Sequence, residues 1–217
     1  ADIYDRIITS HEAYNRAENS PGFRAVVRYL ERLRMCGGPV LDVGCGVGFA
    51  LEYLAQEMPG SRVHGCDVSR VAIERASARL APHGVGSDRL RVIQGGRLPF
   101  DDSAFGLAIC FDVVEHIEEA DLPRLKNEFE RVLRPGGWSV ISVALRAAST
   151  LDHRGENAHL TVRPVEWWMD LFDPDEDRAF NIDRATDHRH AGRLGHGQAL
   201  AGKQGLVRRT SAFDDTP

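Results

Sequence analysis

The chain has 217 residues, with 27 Lys and Arg against 32 Asp and Glu and a formal net charge of -5. That length suits one domain with a substantial core and is too short for two full enzyme domains. A composition 42% hydrophobic and 27% charged excludes a wholly disordered chain, a fibrous repeat and a disulfide miniprotein, and the mild acidity argues against a general binder of nucleic acid or anionic membrane.

Residues 1–20 are polar, with scattered Tyr4, Tyr14 and Ile side chains. Phe23, Val26, Val27, Leu30 and Leu33 then recur at helical spacing until Gly37-Gly38-Pro39 stops the pattern. PVLDVG (39–44) is short, apolar and β-rich, which predicts a buried strand. Phe49 to Met58 reads as a helix ended by Pro59-Gly60, and RVHGCD (62–67) as a second strand. Ser69 is placed to cap the next helix, whose face carries Val71, Ala72, Ala76 and Leu80. LRVIQ (90–94) and FGLAICF (105–111) are the third and fourth strands. A helix lined by Leu122, Leu125, Phe129 and Val132 precedes Pro135-Gly136-Gly137 and a fifth strand, 138–145. Beyond it, 163–172 is helix-like, 179–182 and 206–210 suit short strands, and the Gly-, His- and Arg-rich stretch 187–204 reads as a loop.

Strands alternating with helices five times predict a doubly wound α/β fold, with a parallel sheet covered on both faces. Ligands in such sheets sit beyond the carboxyl ends of the strands, near the point where strand order reverses. The chemistry is therefore expected just after residues 44, 67, 94, 111 and 145. Cys36, Cys45, Cys66 and Cys110 form no C-x-x-C pair. They read as reduced thiols in a cytoplasmic protein. No apolar run is long enough for a membrane span, and no charged-then-apolar leader opens the chain. Lys occurs only at Lys126 and Lys203; coding bias explains this, or planar recognition of anions by Arg. The first residue is not Met, which suggests a trimmed N-terminus.

Val40-Leu41-Asp42-Val43-Gly44-Cys45-Gly46-Val47-Gly48 carries a strand into a Gly-rich turn and a helix. Glycine lets a ligand approach the backbone with no Cβ in the way. The spacing is G-x-G-x-G, one residue short of the dinucleotide G-x-G-x-x-G pattern. Asp42 within the strand needs a partner, since a buried carboxylate is costly. Asp67 ends the second strand, where an acid accepts hydrogen bonds from both ribose hydroxyls or complements a helix N-terminus. Val68 beside it is a candidate apolar wall for a purine.

VLDVGCGVG, HGCDVS, LPFDDSAFGLAICFDVVEHI and RVLRPGGWSVISV together resemble four ordered motifs of class I S-adenosylmethionine-dependent methyltransferases. The likeness is to the group that includes quinone-biosynthesis and small-molecule O- and N-methyltransferases. It covers residues 36–146 and extends weakly through 159–172. It implies a Rossmann-like, mostly parallel seven-stranded sheet with helices on both faces. Residues 1–35 are then an N-terminal helical lid, 36–146 the cofactor-binding core and 147–217 the substrate side. It also implies that Gly44, Cys45 and Gly46 wrap the methionine part of the cofactor, supported by Asp42. Asp67 would bind the ribose, Val68 would touch adenine, and the segment with Gly96, Arg97 and Leu98 would pass the adenine edge. Phe111 and Asp112 would face the methionine end and the acceptor, with Glu115 and His116 at the pocket rim. Two departures stand out. No acid precedes Leu98-Pro99-Phe100, where relatives carry one for the adenine amino group. Gly106 stands where relatives tend to have Asp.

Transfer from a sulfonium asks mainly for alignment, and a hydroxyl or ammonium acceptor also needs a base. His116 is the first candidate base, His159 the second and Asp112 the third; His116 alternatively packs on the cofactor loop. Trp167 and Trp168 are adjacent on a helix, so one is expected in the core and one beside the acceptor. His188, His190 and His196 lack ligand spacing, and no metal is expected. The partner expected is a small-molecule acceptor, a sugar, glycoside or other specialised metabolite. Neither nucleic acid nor membrane is expected, and a homodimer stays open. S-adenosylmethionine would leave as S-adenosylhomocysteine. The alternatives are a nicotinamide-dependent oxidoreductase and an inactive cofactor-binding partner subunit.

Overall fold

The computed structural model describes residues 2–10, 21–60, 62–148, 157–173, 180–181 and 203–209. Tyr14, His188, His190 and His196 lie outside the described residues, as does 187–204 apart from its last two positions. In chain order the elements are α1 (Asp2–Ser10), α2 (Pro21–Cys36), β1 (Val40–Val43), α3 (Phe49–Glu57), β2 (Val63–Asp67), α4 (Arg70–Leu80), β3 (Leu90–Val92) and β4 (Phe105–Phe111). Then follow α5 (Leu122–Val132), β5 (Leu133–Ala144), α6 (Val165–Phe172), β6 (Phe180–Asn181) and β7 (Lys203–Arg209).

The strands form one sheet of order β3-β2-β1-β4-β5-β7-β6. The first five are parallel, and β7 and β6 continue the sheet antiparallel. The chain moves outward from β1 to β3, then returns to place β4 on the other side of β1. The order therefore reverses between β1 and β4, and the crevice lies at their carboxyl ends.

Alternation along the strands serves the two faces. Val40, Leu107 and Ile109 pack with Leu51 and Leu54 of α3 and with Ala76 and Leu80 of α4. Leu41, Ala108, Cys110 and Ile141 face the other way, onto Phe129 and Val132 of α5 and Trp168 and Phe172 of α6. All seven residues of β4 are buried, as a central strand covered on both sides must be. Ser69 caps α4 by accepting from the Ala72 amide at 3.0 Å, as its position predicts. β5 begins five residues earlier than expected, because Leu133 already pairs with Phe105 ahead of the irregularity at Gly106. A Cβ at Gly106 would stand 2.0 Å from the Gly37 carbonyl oxygen, so close backbone packing explains the glycine there.

The two helices of the expected lid, residues 1–35, pack on different surfaces. Ala25, Val26, Leu30 and Leu33 of α2 are buried in the first core cluster, so this face of α2 packs on the sheet. Helix α1 sits elsewhere, with Ile8 packed on Val47, Phe49 and Ala72. Among the described residues no helix is long and apolar enough to cross a membrane.

Candidate active site

The turn after β1 hangs from the end of β2. The Gly44 and Cys45 amides both donate to the Cys66 carbonyl, at 2.8 and 3.0 Å. The next amide, Gly46, donates to Asp67 Oδ2 at 2.9 Å, while Asp67 Oδ1 accepts from the Ser69 amide at 2.8 Å. One carboxylate thus ties the Gly-rich turn to the β2–α4 turn. Gly44, Gly46 and Gly48 all have positive φ, at 78°, 52° and 87°, but different surroundings. A Cβ on Gly44 would meet Val113 Cγ2 at 2.3 Å, whereas one on Gly46 would meet nothing within 4 Å. Gly44 lets β1 approach the turn after β4; Gly46 faces open space beside Asp67, where a ligand's backbone approach needs no Cβ.

Asp42 is buried, and burial together with the nearby Asp67 carboxylate pushes it up to about 8. Burial raises Asp67 as well, opposed by the Ser69 and Gly46 amides. The pair carries one negative charge easily and two with difficulty, so the site favours a cationic ligand. Val68 is 36% exposed next to Asp67, an open apolar surface at that edge. Burial raises the thiols of Cys45, Cys66 and Cys110 well above the usual range, and all four cysteines are free.

After β3 the chain makes a tight turn, with Gln94 bridging Arg97 across Gly95 and Gly96 at φ 66° and 71°. Two successive positive φ values require glycines there. Gly96 and Arg97 are exposed. Leu98 is buried in the second core cluster. Its amide is held by Glu128 at 2.7 Å and its carbonyl by Arg131 at 2.9 Å, so α5 uses the polar groups that a ligand would need.

Opposite the Gly-rich turn, β4 ends at Asp112 with φ 55°, a left-handed conformation uncommon outside glycine. Its Oδ1 accepts from Ser142 Oγ at 2.9 Å. A 3-10 turn, Val114–His116, follows. The stretch after β5 lies against it: the Thr161 amide donates to the Glu115 carbonyl at 3.0 Å, and Thr161 Oγ1 donates to the Ile117 carbonyl at 2.7 Å. This contact brings the His116 and His159 rings edge to face, with centroids 4.8 Å apart. His116 Nδ1 lies 2.8 Å from the Ala158 carbonyl and His159 Nδ1 lies 2.6 Å from the Arg146 carbonyl. A carbonyl only accepts, so each Nδ1 carries a hydrogen and each Nε2 is the ring nitrogen left for another partner. Burial lowers the His116 pKa, opposed by the Ala158 carbonyl, so the ring is neutral at physiological pH. Glu115, expected at the rim, is instead fully buried, and burial pushes its carboxyl up to about 7.

Helix α1 reaches both halves. Ser69 Oγ donates to Asp5 Oδ1 and the Val71 amide to the same oxygen at 3.2 Å; the Ser69 bond holds the Asp5 carboxyl below its usual range. Tyr4 meets His116 edge to face at 6.2 Å.

Residues 40–137 match the family model described as a methyltransferase domain. The chain is 36% identical over 124 residues to the methyltransferase GfsG of Streptomyces halstedii, across 56% of this chain and 43% of that one. It is 30% identical over 119 residues to a ubiquinone biosynthesis O-methyltransferase of Thiobacillus denitrificans, across 55% and 50%. The chain thus spans half or less of the length of these relatives. Residues 40–137 are thus similar to methyltransferase domains. A protein from Pyrococcus horikoshii OT3 shares the fold, with a TM-score of 0.65 at 19% identity over 95% of this chain and 99% of that one.

Within the matched segment, Asp42, Gly44, Cys45, Gly46, Asp67 and Val68 gather at the ends of β1 and β2. Phe111, Asp112 and His116 gather across the switch point, and His159 joins them from the far side of β5. Sequence reasoning noted Tyr4 as an aromatic of the N-terminal segment but not its contact with His116, and it missed Asp5 and Ser142. Asp5 has no local signature. Ser142 was legible only as a hydroxyl in an apolar strand, a residue type that needs a partner when buried.

Proposed function

We propose that the chain transfers a methyl group from S-adenosylmethionine to an oxygen or nitrogen of a small-molecule acceptor. One observation carries the reading. The Gly46–Asp67 cradle and the turn bearing His116 both lie at the strand-order reversal, where Gly44 closely approaches Val113. The residues present fit the cofactor: open space at Gly46, a carboxylate with spare lone pairs at Asp67 and an apolar surface at Val68. The buried acidic pair suits a cationic ligand. Bound there, S-adenosylmethionine supplies a methyl group already activated on a sulfonium.

The chain's own residues bind, orient and take a proton. Asp67 accepts the ribose hydroxyls while holding the Gly46 and Ser69 amides. Gly96 and Arg97 border the adenine edge, with backbone groups there in place of the missing acid. His116 Nε2 accepts the proton that a hydroxyl or ammonium acceptor loses, and the Ala158 carbonyl keeps the ring in the correct tautomer. His159 and Asp112 stand next in that role. Helix α1, latched through Asp5 and touching His116 through Tyr4, is the lid that excludes water. The half-buried Trp167, edge-on to the buried Trp168, suits the acceptor side. Free, buried cysteines support a cytoplasmic setting, and the net negative charge supports an acceptor other than nucleic acid. A nicotinamide oxidoreductase is not favoured, because both matched relatives are methyltransferases.

Calorimetry with S-adenosylhomocysteine and with NADH, followed by transfer of labelled methyl to a panel of hydroxylated and amine acceptors, tests the reading. S-adenosylhomocysteine binding and labelled product are expected. NADH binding without S-adenosylhomocysteine binding overturns the reading. Binding without turnover on any acceptor points to the partner-subunit alternative.

A further inference from the structure

We propose that Glu115, His116 and His159 bind one divalent first-row transition-metal ion on the acceptor side of the crevice. A carboxylate oxygen of Glu115 and a ring nitrogen of each histidine lie within 4.8 Å of one another. No spacing in the sequence announces this set. The packing of the segment after β5 against the 3-10 turn after β4 assembles it.

Two independent features separate the cluster from chance proximity. The first is the orientation of the histidines. Each ring is fixed through Nδ1 by a backbone carbonyl, Ala158 for His116 and Arg146 for His159. This leaves Nε2 as the nitrogen available to a ligand, which is how ligating histidines are held by their outer hydrogen bonds. The second is Glu115. It is fully buried, and Oε1 accepts from the Ala144 amide at 3.1 Å. Oε2 is buried with no hydrogen-bond partner. A carboxylate oxygen withdrawn from water in this way lacks the positive partner that buried charges require, and a cation between it and the two imidazoles supplies one.

The donor set selects the ion. Two imidazoles and one carboxylate suit Zn, Fe(II), Co or Ni, whereas Mg and Ca prefer oxygen donors throughout. Metal bonds of about 2.0–2.2 Å place neighbouring donors roughly 3–3.5 Å apart, so loading draws the half-buried His159 ring inward. Three protein ligands leave open coordination positions. On the methyl-transfer reading, on which this consequence rests, those positions take two adjacent oxygens of the acceptor. The favoured acceptors are then vicinal diols or α-hydroxy ketones; the ion would acidify the reacting hydroxyl, and, with both histidines held as ligands, Asp112 would take its proton.

The test uses the full chain without a histidine tag, stripped with chelator and titrated with Co(II), which is read by its visible d–d absorption. One equivalent is expected to bind. His159→Gln and Glu115→Gln are each expected to weaken that binding by more than about tenfold, whereas a variant with His188, His190 and His196 all changed to Gln keeps it. His159 lies on a half-buried loop, so its variant decides the matter even if the Glu115 variant does not fold. Absence of stoichiometric Co(II) binding, or binding unchanged in His159→Gln, overturns the proposal. S-adenosylhomocysteine binding measured on the same samples judges the methyl-transfer reading separately.

Discussion

Replacing Asp67 with Asn or Ala tests the cofactor cradle where the geometry is most explicit. The carboxylate accepts the Gly46 amide on Oδ2 and the Ser69 amide on Oδ1. An ionised carboxylate offers about four lone-pair sites, so acceptor capacity remains for a ribose. Asn keeps the shape, but its NH2 group would confront one of the two amides, donor against donor. Ala removes every acceptor. Hydrogen bonds to a charged group are worth about 1.5–3 kcal/mol each. Loss of a single one sets a floor of about 1.5 kcal/mol, or roughly tenfold in affinity. Both amides adjoin the crevice, where water can replace the lost acceptor, so a folded variant is expected. Calorimetry with S-adenosylhomocysteine measures the affinity, and a thermal melt confirms folding. A folded Asp67→Ala protein that binds with unchanged affinity would refute the ribose assignment.

Three further outcomes are expected. Gly44→Ala combines a left-handed φ with a 2.3 Å encounter with Val113, and should cost about 1–3 kcal/mol of stability from overpacking. Gly46→Ala has free space, so it should melt closer to the parent while losing more cofactor affinity; equal loss of stability in both would contradict the placement of the crevice. Asp42, pushed up to about 8, gains a proton on folding between its ordinary range near pH 4 and pH 8. Its contribution to stability is therefore full below that window and lost as pH rises through it. Asp42→Asn should flatten this slope in melts across the window, and S-adenosylmethionine binding should release a proton, seen as buffer-dependent heat. His116→Ala should keep cofactor binding and reduce turnover. Near-normal turnover would move the base role to His159 or Asp112.

Much of the fold was legible because parallel strands buried on both faces are short apolar runs, and β1, β2 and β4 appear as VLDV, VHGCD and FGLAICF. The start of β5 was misplaced because Pro135-Gly136-Gly137 reads as a break, while pairing with β4 carries the strand through it. The packing surface of α2 was not legible, because position before the core does not say which surface a helix covers. Its apolar face, Ala25 to Leu33, is buried in the core.

The same division runs through the site. The Gly-rich turn, Asp42 and Asp67 were visible in one dimension, because each follows a strand directly and a parallel sheet sets all strand ends side by side. Composition says nothing of where the charges sit; folding places Asp42 and Asp67 in one buried site, where one negative charge is easier to hold than two. Only the tertiary structure decided that Glu115 is buried, that His159 meets His116, and that Asp5 and Tyr4 of α1 reach both halves of the crevice. Those contacts join residues far apart in sequence, through packing of loops that carry no periodicity, so no local pattern encodes them.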